Sequence, residues 1–384
     1  MTFARKGVLI MRGTATPFFV RGHTARGPWN LLESSLMGID LLYVARPAPA
    51  AAQSAAMRII AEEALSSSCD VWLLHRPEDH ELLDGVIIPS RKTGFIHEGA
   101  LPLHMRPLPA DIRCKAIHLS QVASGSESGL ASGDLTVAEG SLQESEGNAY
   151  NCFARALDIH DDWEAIYISA MSFEAANRVA NAYVSRLFGE TSLPKEGRRD
   201  DRFLGAATPA GAVDFVPELT RGLKRYLIKG RAGSGKSTLL KRLAAEGLRR
   251  GYDVEVYHCG FDPNSIDMVI VRELGTAVFD STAPHEYFPD RETDEIIDMY
   301  DLCIAPGTDE LHADQLAPIQ SGYASAMKEA IGHLAEARRL RNAIEQPAAE
   351  AVNMQEIADA ARGWAAELLR NGANGLRTAP DGMA

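Results

Sequence analysis

One pattern runs through this chain twice, and any fold it adopts must accommodate both copies. Residues 70–100, DVWLLHRPEDHELLDGVIIPSRKTGFIHEGA, laid without gaps on residues 253–283, match at nine of 31 positions, including Asp70/Asp253, His75/His258, Asp79/Asp262, Asp84/Asp267 and Thr93/Thr276. About two matches are expected from average composition. The offset is 183 residues. A second match follows: Phe173, Ala176, Ala180, Tyr183 and Leu187 repeat as Met354, Ile357, Ala361, Trp364 and Leu368, 181 residues later. Their 3,4,3,4 spacing puts five apolar side chains on one helical face. The chain of 384 residues therefore reads as two α/β units, 1–190 and 200–384, each followed by a helical tail. The polar stretch GETSLPKEGRRDDR (189–202) is the expected linker. Residues 122–149, rich in serine, glycine and acids and without Lys or Arg, read as a flexible loop.

The second copy carries chemistry. In RYLIKGRAGSGKSTLLKRL (225–243), Gly230 is followed after four residues by Gly235, Lys236 and Ser237. Tyr226 to Lys229 predicts a buried strand before it, and Leu239, Leu240, Leu243 and Leu248 predict a helix after it, with Gly251 at the C-terminal end. Strand, glycine loop and helix in that order form a phosphate-binding P-loop. Backbone N–H groups of Gly230, Arg231, Ala232, Gly233, Ser234 and Gly235 can converge on an anion where no Cβ intrudes. Lys236 reaches the β and γ phosphates and is the expected catalytic cation, Ser237 ligates Mg²⁺, and Thr238 helps hold the α phosphate. The expected cofactors are ATP and Mg²⁺. A second metal ligand, Asp280, closes the apolar run TAVFD (276–280).

At the repeat offset, Gly230, Gly233, Gly235 and Lys236 fall on Pro47, Ala50, Ala52 and Gln53, within ARPAPAAAQSAAM (45–57). Asp280 falls on His97. The first copy thus lacks glycines, lysine and metal ligand together, which predicts one working site and one degenerate one. Asp262, after the second strand of the working copy, is a weaker catalytic candidate, because its counterpart Asp79 persists in the degenerate copy, as Asp84 does for Asp267. His258 and His75 form a like pair and read as structural. Arg338, Arg339 and Arg341 offer either an arginine lid or a solvated helix face.

The segments YLIKGRAGSGKSTLLKRL (226–243), DVEVYHCGFDPNSIDMVIV (253–271), TAVFDSTAPH (276–285) and HDDWEAIYISAMSFEAAN (160–177) resemble a poorly characterised bacterial ATPase-like family with tandem P-loop halves. The resemblance implies an ATP-binding P-loop fold in each half and brings no settled substrate. This chain departs from it at the first P-loop. The fold class expected is α/β, with two tandem P-loop NTPase-like domains, mainly parallel sheets and flanking helices.

A net charge of −13 argues against a nucleic-acid backbone as partner. No run approaches the roughly 20 apolar residues of a membrane helix, and the expected location is cytoplasmic. Five scattered cysteines without a CxxC pair read as reduced thiols. No glutamate follows Asp280, and neither an LSGGQ-like nor an NKxD segment is present, so motor, transporter and GTPase readings lose ground. A slow Mg-dependent ATPase is the leading expectation, with the N-terminal half as a structural or regulatory partner. A nucleotide or small-metabolite kinase and a non-hydrolysing nucleotide sensor are the alternatives. The partners expected are a nucleotide and a further small molecule or protein; a homo-oligomer stays open.

Overall fold

The computed structural model describes residues 12–119 and 132–371. The first copy begins with β1 (Ala15–Phe19), a hairpin of β2 (Arg21–Thr24) and β3 (Gly27–Asn30), and the short α1 (Leu32–Leu36). It continues through β4 (Leu41–Ala45), α2 (Ala50–Ser66), β5 (Val71–Arg76), β6 (Asp79–Ile88), β7 (Thr93–His97) and β8 (Arg113–Ile117). Two helices end it, α3 (Ser132–Ser169) and α4 (Phe173–Phe188). The second copy repeats that order with β9 (Arg199–Phe203), β10 (Gly205–Thr208), β11 (Gly211–Asp214), α5 (Val216–Leu219) and β12 (Lys224–Lys229). Then come α6 (Lys236–Arg249), β13 (Val254–His258), β14 (Ile266–Val271), β15 (Thr276–Asp280) and β16 (Glu295–Asp298). After short α7 (Met299–Cys303) and α8 (Thr308–Leu311), α9 (Ala313–Glu350) and α10 (Met354–Asn371) close the chain. Among the described residues no helix is long and apolar enough to cross a membrane.

The fold is mixed α/β, and the two copies share one sheet. Its twelve strands run β16-β12-β15-β14-β13-β9-β1-β5-β6-β7-β4-β8. Six of the pairings are parallel; four are antiparallel because β6 and β14 each reverse direction within their copy, and the fifth antiparallel pairing is the junction of β1 with β9. The copies meet edge to edge at β1 and β9, where Phe19 faces Phe203. Both rings are fully buried, so the seam lies inside the protein.

The correspondence is also local. Thr24 and Thr208 each donate a hydroxyl proton to the carbonyl of the glycine three residues on, at 2.7 and 2.8 Å. Those residues are 184 apart, whereas β4 onward follows 183, so the second copy is one residue shorter just before β12. At the glycine-rich loop the 183 register holds: Ser54 Oγ accepts from Leu83 N–H at 3.1 Å, and Ser237 Oγ from Ile266 N–H at 2.9 Å.

The helical tails are exchanged. Ala180 and Phe188 of α4, from the first copy, are buried with Leu239, Leu240 and Leu243 of α6 in the second. Ile357, Ala361, Ala365 and Leu368 of α10 are buried with Met57, Ile60 and Ala64 of α2 in the first. Long α3 and α9 cross between, with Ala149, Cys152 and Phe153 packed on Ala330 and Leu334. That packing corrects the flexible-loop expectation: residues 132–149 form the first half of α3. Its few apolar positions, Ala149 among them, suffice because α9 supplies a second helix to pack on; the remainder of that segment, 122–131, lies outside the described residues.

Truncating an exchanged side chain should destabilise the opposite copy. Leu368→Ala is expected to cost roughly 2–5 kcal/mol, read by urea denaturation; a loss under about 1 kcal/mol would mean that α10 is dispensable to the first core.

Candidate phosphate site

Strand β12 enters the loop with Tyr226, Leu227 and Ile228 buried, and Gly235 stands at the N-cap of α6. Gly233 and Gly235 take φ of +71° and +87°, left-handed values that favour glycine. In the first copy the matching Ala50 and Ala52 are helical, since α2 starts at Ala50 behind Pro49. Helix α2 has 17 residues against 14 in α6, and its extra first turn lies where the second copy has a loop. Alanine, the best helix former, fills that turn.

Around the loop the expected residues converge. Lys236 Nζ donates to Arg231 O at 2.8 Å and stands 3.5 Å from Asp280 Oδ2. Asp280 Oδ1 accepts from Thr282 N–H at 3.1 Å and from its hydroxyl at 2.6 Å, leaving Oδ2 toward the lysine. Ser237 Oγ is held by Ile266 N–H with a lone pair to spare. Arg231 points out of the loop to Asp309 Oδ2 at 2.9 Å and lies over the Tyr300 ring. Ser234 Oγ donates back to Arg231 O at 2.8 Å.

Other candidates lie elsewhere. Asp262 pairs with Arg26 of the first copy at 2.7 Å and accepts from Asn264 N–H, and Asp79 likewise pairs with Arg338 and accepts from Glu81 N–H. Both aspartates shape the same turn and tie the copies together. His258 and His75 each bond through Nδ1 to the carbonyl five residues on, at 2.6 and 2.7 Å. The arginines of α9 sit on the first copy's side: Arg338 on Asp79, Arg341 on Glu146, and Arg339 on its own helix's Glu336. An arginine lid over the second copy's loop is therefore not formed by them.

Sequence reasoning set Asp267 aside because Asp84 matches it, yet the two sit in opposite electrostatic surroundings. Asp84 is completely buried, accepts two bonds from Arg21 (2.7 and 3.0 Å) and one from Arg76 (3.1 Å), and meets His97 Nε2 at 2.8 Å. Burial alone would raise its pKa, but Arg21, His97 and Arg76 outweigh that and hold it well below the carboxylate range. In the second copy Gly205 and Cys259 stand in place of Arg21 and Arg76, and Asp280 in place of His97. Asp267 is pushed above the carboxylate range, first by burial and then by Asp280 beside it, with Lys236 and His285 acting in the opposite direction. His285 is oriented by Asp214, which takes its Nδ1 at 2.7 Å. An added Cβ on Gly205 would come 2.7 Å from His285 Cε1, so the glycine makes room for that ring. The signal that could have found Asp267 was the loss of both arginines around a retained aspartate.

Asp280 and the Ser237 hydroxyl are hard oxygen ligands of the kind that suits Mg²⁺, with the Asp267 carboxylate beside Asp280, and the matched positions of the first copy hold His97, Ser54 and Asp84 instead. A guanidinium pair already neutralises the matching place in the first, with His97 hydrogen-bonded to Asp84, and a cavity of about 340 Å³ there is lined by Arg21, Gln53, Arg76, His97, Arg341 and Glu345. No family model, curated protein or solved structure matches the chain.

The two aspartates should respond oppositely to neutralisation. Asp84→Asn takes from buried Arg76 the carboxylate it pairs with, while Arg21 keeps Glu78, and should cost roughly 3–5 kcal/mol. Its native contribution is complete above the ordinary carboxylate range and is lost as pH falls below it. The raised pKa of Asp267 means a cost that appears as pH rises through that range, so Asp267→Asn should raise the melting temperature at pH 7 without magnesium. Equal destabilisation by both variants in thermal melts would contradict these assignments.

Proposed function

We propose that the second copy binds Mg-ATP on the 230–238 loop and catalyses slow hydrolysis, while the first copy serves as its structural and regulatory partner. The observation that carries this reading is the contrast between matched positions of one scaffold. Left-handed glycines, Lys236 and a carboxylate pair stand in one copy, where helical alanines, Gln53 and an arginine-neutralised aspartate stand in the other. Each difference bears on holding a polyphosphate with a divalent cation.

In this reading the loop amides and the start of α6 hold the phosphates, with Thr238 at the α phosphate. Ser237 and Asp280 would hold a magnesium ion, which would supply charge neutralisation for the phosphates. Lys236 leaves Arg231 O and Asp280 for the γ phosphate, where it stabilises charge developing in the transition state. Asp267, which no arginine pairs with among the described residues, is the base that orients the attacking water, and His285 keeps its orientation through Asp214.

The same Asp267 favours a second reading, transfer to a hydroxyl of a small metabolite, since a carboxylate beside the γ phosphate can take a proton from an alcohol as readily as from water. Phosphate acceptance faster than hydrolysis in a metabolite screen would decide for it. Under either reading Lys236→Ala should lower turnover roughly 10²–10³-fold with little change in melting temperature, measured by phosphate release. Unchanged turnover and ATP affinity in that variant would end the assignment.

A further inference from the structure

The loop of the second copy already holds a carboxylate, and the first copy provides it. Glu164 on α3 places Oε1 3.3 Å from Gly233 N–H. That amide belongs to the ring of N–H groups that a phosphate oxygen would use, and a negatively charged acceptor there occupies the phosphate's position. The helix backbone is equally close. An added Cβ on Gly233 would stand 2.5 Å from Glu164 O, and one on Gly235 2.7 Å from Met171 Cε. Glycine at those positions thus serves the fit of α3 as well as the turn of the loop.

Two further contacts fasten this cover. Asp309 accepts from Arg231 of the loop through Oδ2 and from the Tyr167 hydroxyl of α3 through Oδ1, the latter at 2.7 Å. Beyond α3 the chain is strapped to the segment after α7, with Ser172 N–H bonded to Cys303 O and Ala305 N–H to Ala170 O.

The first copy carries the same contact. Glu345 of α9, 181 residues after Glu164, takes Ala50 N–H at 2.8 Å, and Ala50 is the counterpart of Gly233. There the acceptor is permanent, because the alanines of α2 leave no loop for phosphate to enter. In the second copy the loop remains and the acceptor can be exchanged.

We infer that Glu164 is a built-in competitor for phosphate at the second copy's loop, so that polyphosphate binding must displace it and is thereby felt by the α3–α9 pair. This rests on the proposed function and adds its regulation. Asp161, one turn back on α3 with its carboxylate within 4.8 Å of the Glu164 and His160 ligand atoms, adds like charge against an incoming phosphate. A loop whose competent form is only partly populated binds more weakly in that proportion.

The test is calorimetric titration of the full chain with inorganic pyrophosphate and magnesium, comparing wild type with Glu164→Ala, Glu164→Gln, Glu345→Ala and Lys236→Ala. Glu164→Ala should bind roughly tenfold more tightly, Glu164→Gln should shift in the same direction, and Glu345→Ala should match wild type. Should the alanine variant fail to fold, the glutamine variant, which keeps helix and side-chain length, decides. Unchanged or weaker binding in the Glu164 variants, with binding lost in Lys236→Ala, would overturn the competitor and leave the loop's assignment standing. An equal gain in Glu345→Ala would overturn it too, by making the effect global. Absence of binding in every protein would bring down both the assignment and the competitor.

Discussion

Neither copy can close its own core. The apolar stripe of α4 is spent on α6 and its sheet, and that of α10 on α2 and its sheet, so each of these two hydrophobic clusters contains side chains from both copies. Removing apolar surface from water is the main favourable term in folding, and here the term is available only when both copies are in place. The β1–β9 seam and the α3–α9 crossing follow from this arrangement, since a tail that must reach the opposite copy has to pass its twin on the way. The glycine-rich loop inherits the consequence: the helix lying over it, α3, comes from the other copy.

Seen this way, the degenerate copy is repurposed scaffold. Asp84 kept its place and changed its partners; where Asp267 stands beside Asp280, Asp84 is surrounded by two arginines and a histidine. A carboxylate pair is a liability without a cation, because desolvation and mutual repulsion both oppose ionisation. Guanidinium groups from Arg21 and Arg76 remove that liability with covalently attached charge, and Glu78 completes the network by taking two bonds from Arg21 at 2.9 and 2.8 Å. The first copy thus has an internally neutralised centre where the second keeps Asp267 beside Asp280.

Much of this was legible in the sequence, and what was not has physical reasons. The repeat, the strand-loop-helix around Gly230 to Ser237, and the paired stripes at 173–187 and 354–368 all rest on local pattern, which α4, α6 and α10 express directly. Periodicity says that a helix has an apolar face, though, and not which sheet it covers. The exchange was therefore invisible. Residues 132–149 misled for a related reason: their polarity suits a helix that buries one narrow stripe on a second long helix, and only α9 reveals the partner. Asp267 was hidden by its own repetition, since a residue kept in both copies looks structural until its neighbours are compared as well. Glu164 carried no motif at all; it is a single acid whose meaning depends on a contact 69 residues away.

The twin glutamates show what divergence of a duplicated site can leave behind. A carboxylate at a helix start is favoured by the free N–H groups and the helix dipole whether or not a ligand ever competes. In the first copy that preference is satisfied outright, since the helix begins at Ala50 and Glu345 is simply its cap. In the second copy the same geometry is met by a loop whose glycines keep the amides turned inward and the helix start further along, at Lys236. One contact is then a cap on a helix and the other a contact to a loop, and the matched positions differ accordingly: Ala50, Ala51 and Ala52 form the first turn of α2, whereas Gly233, Ser234 and Gly235 precede α6. The two ends of the α3–α9 pair are therefore not equivalent: Glu345 of α9 meets the first turn of a helix, whereas Glu164 of α3 meets a glycine-rich loop.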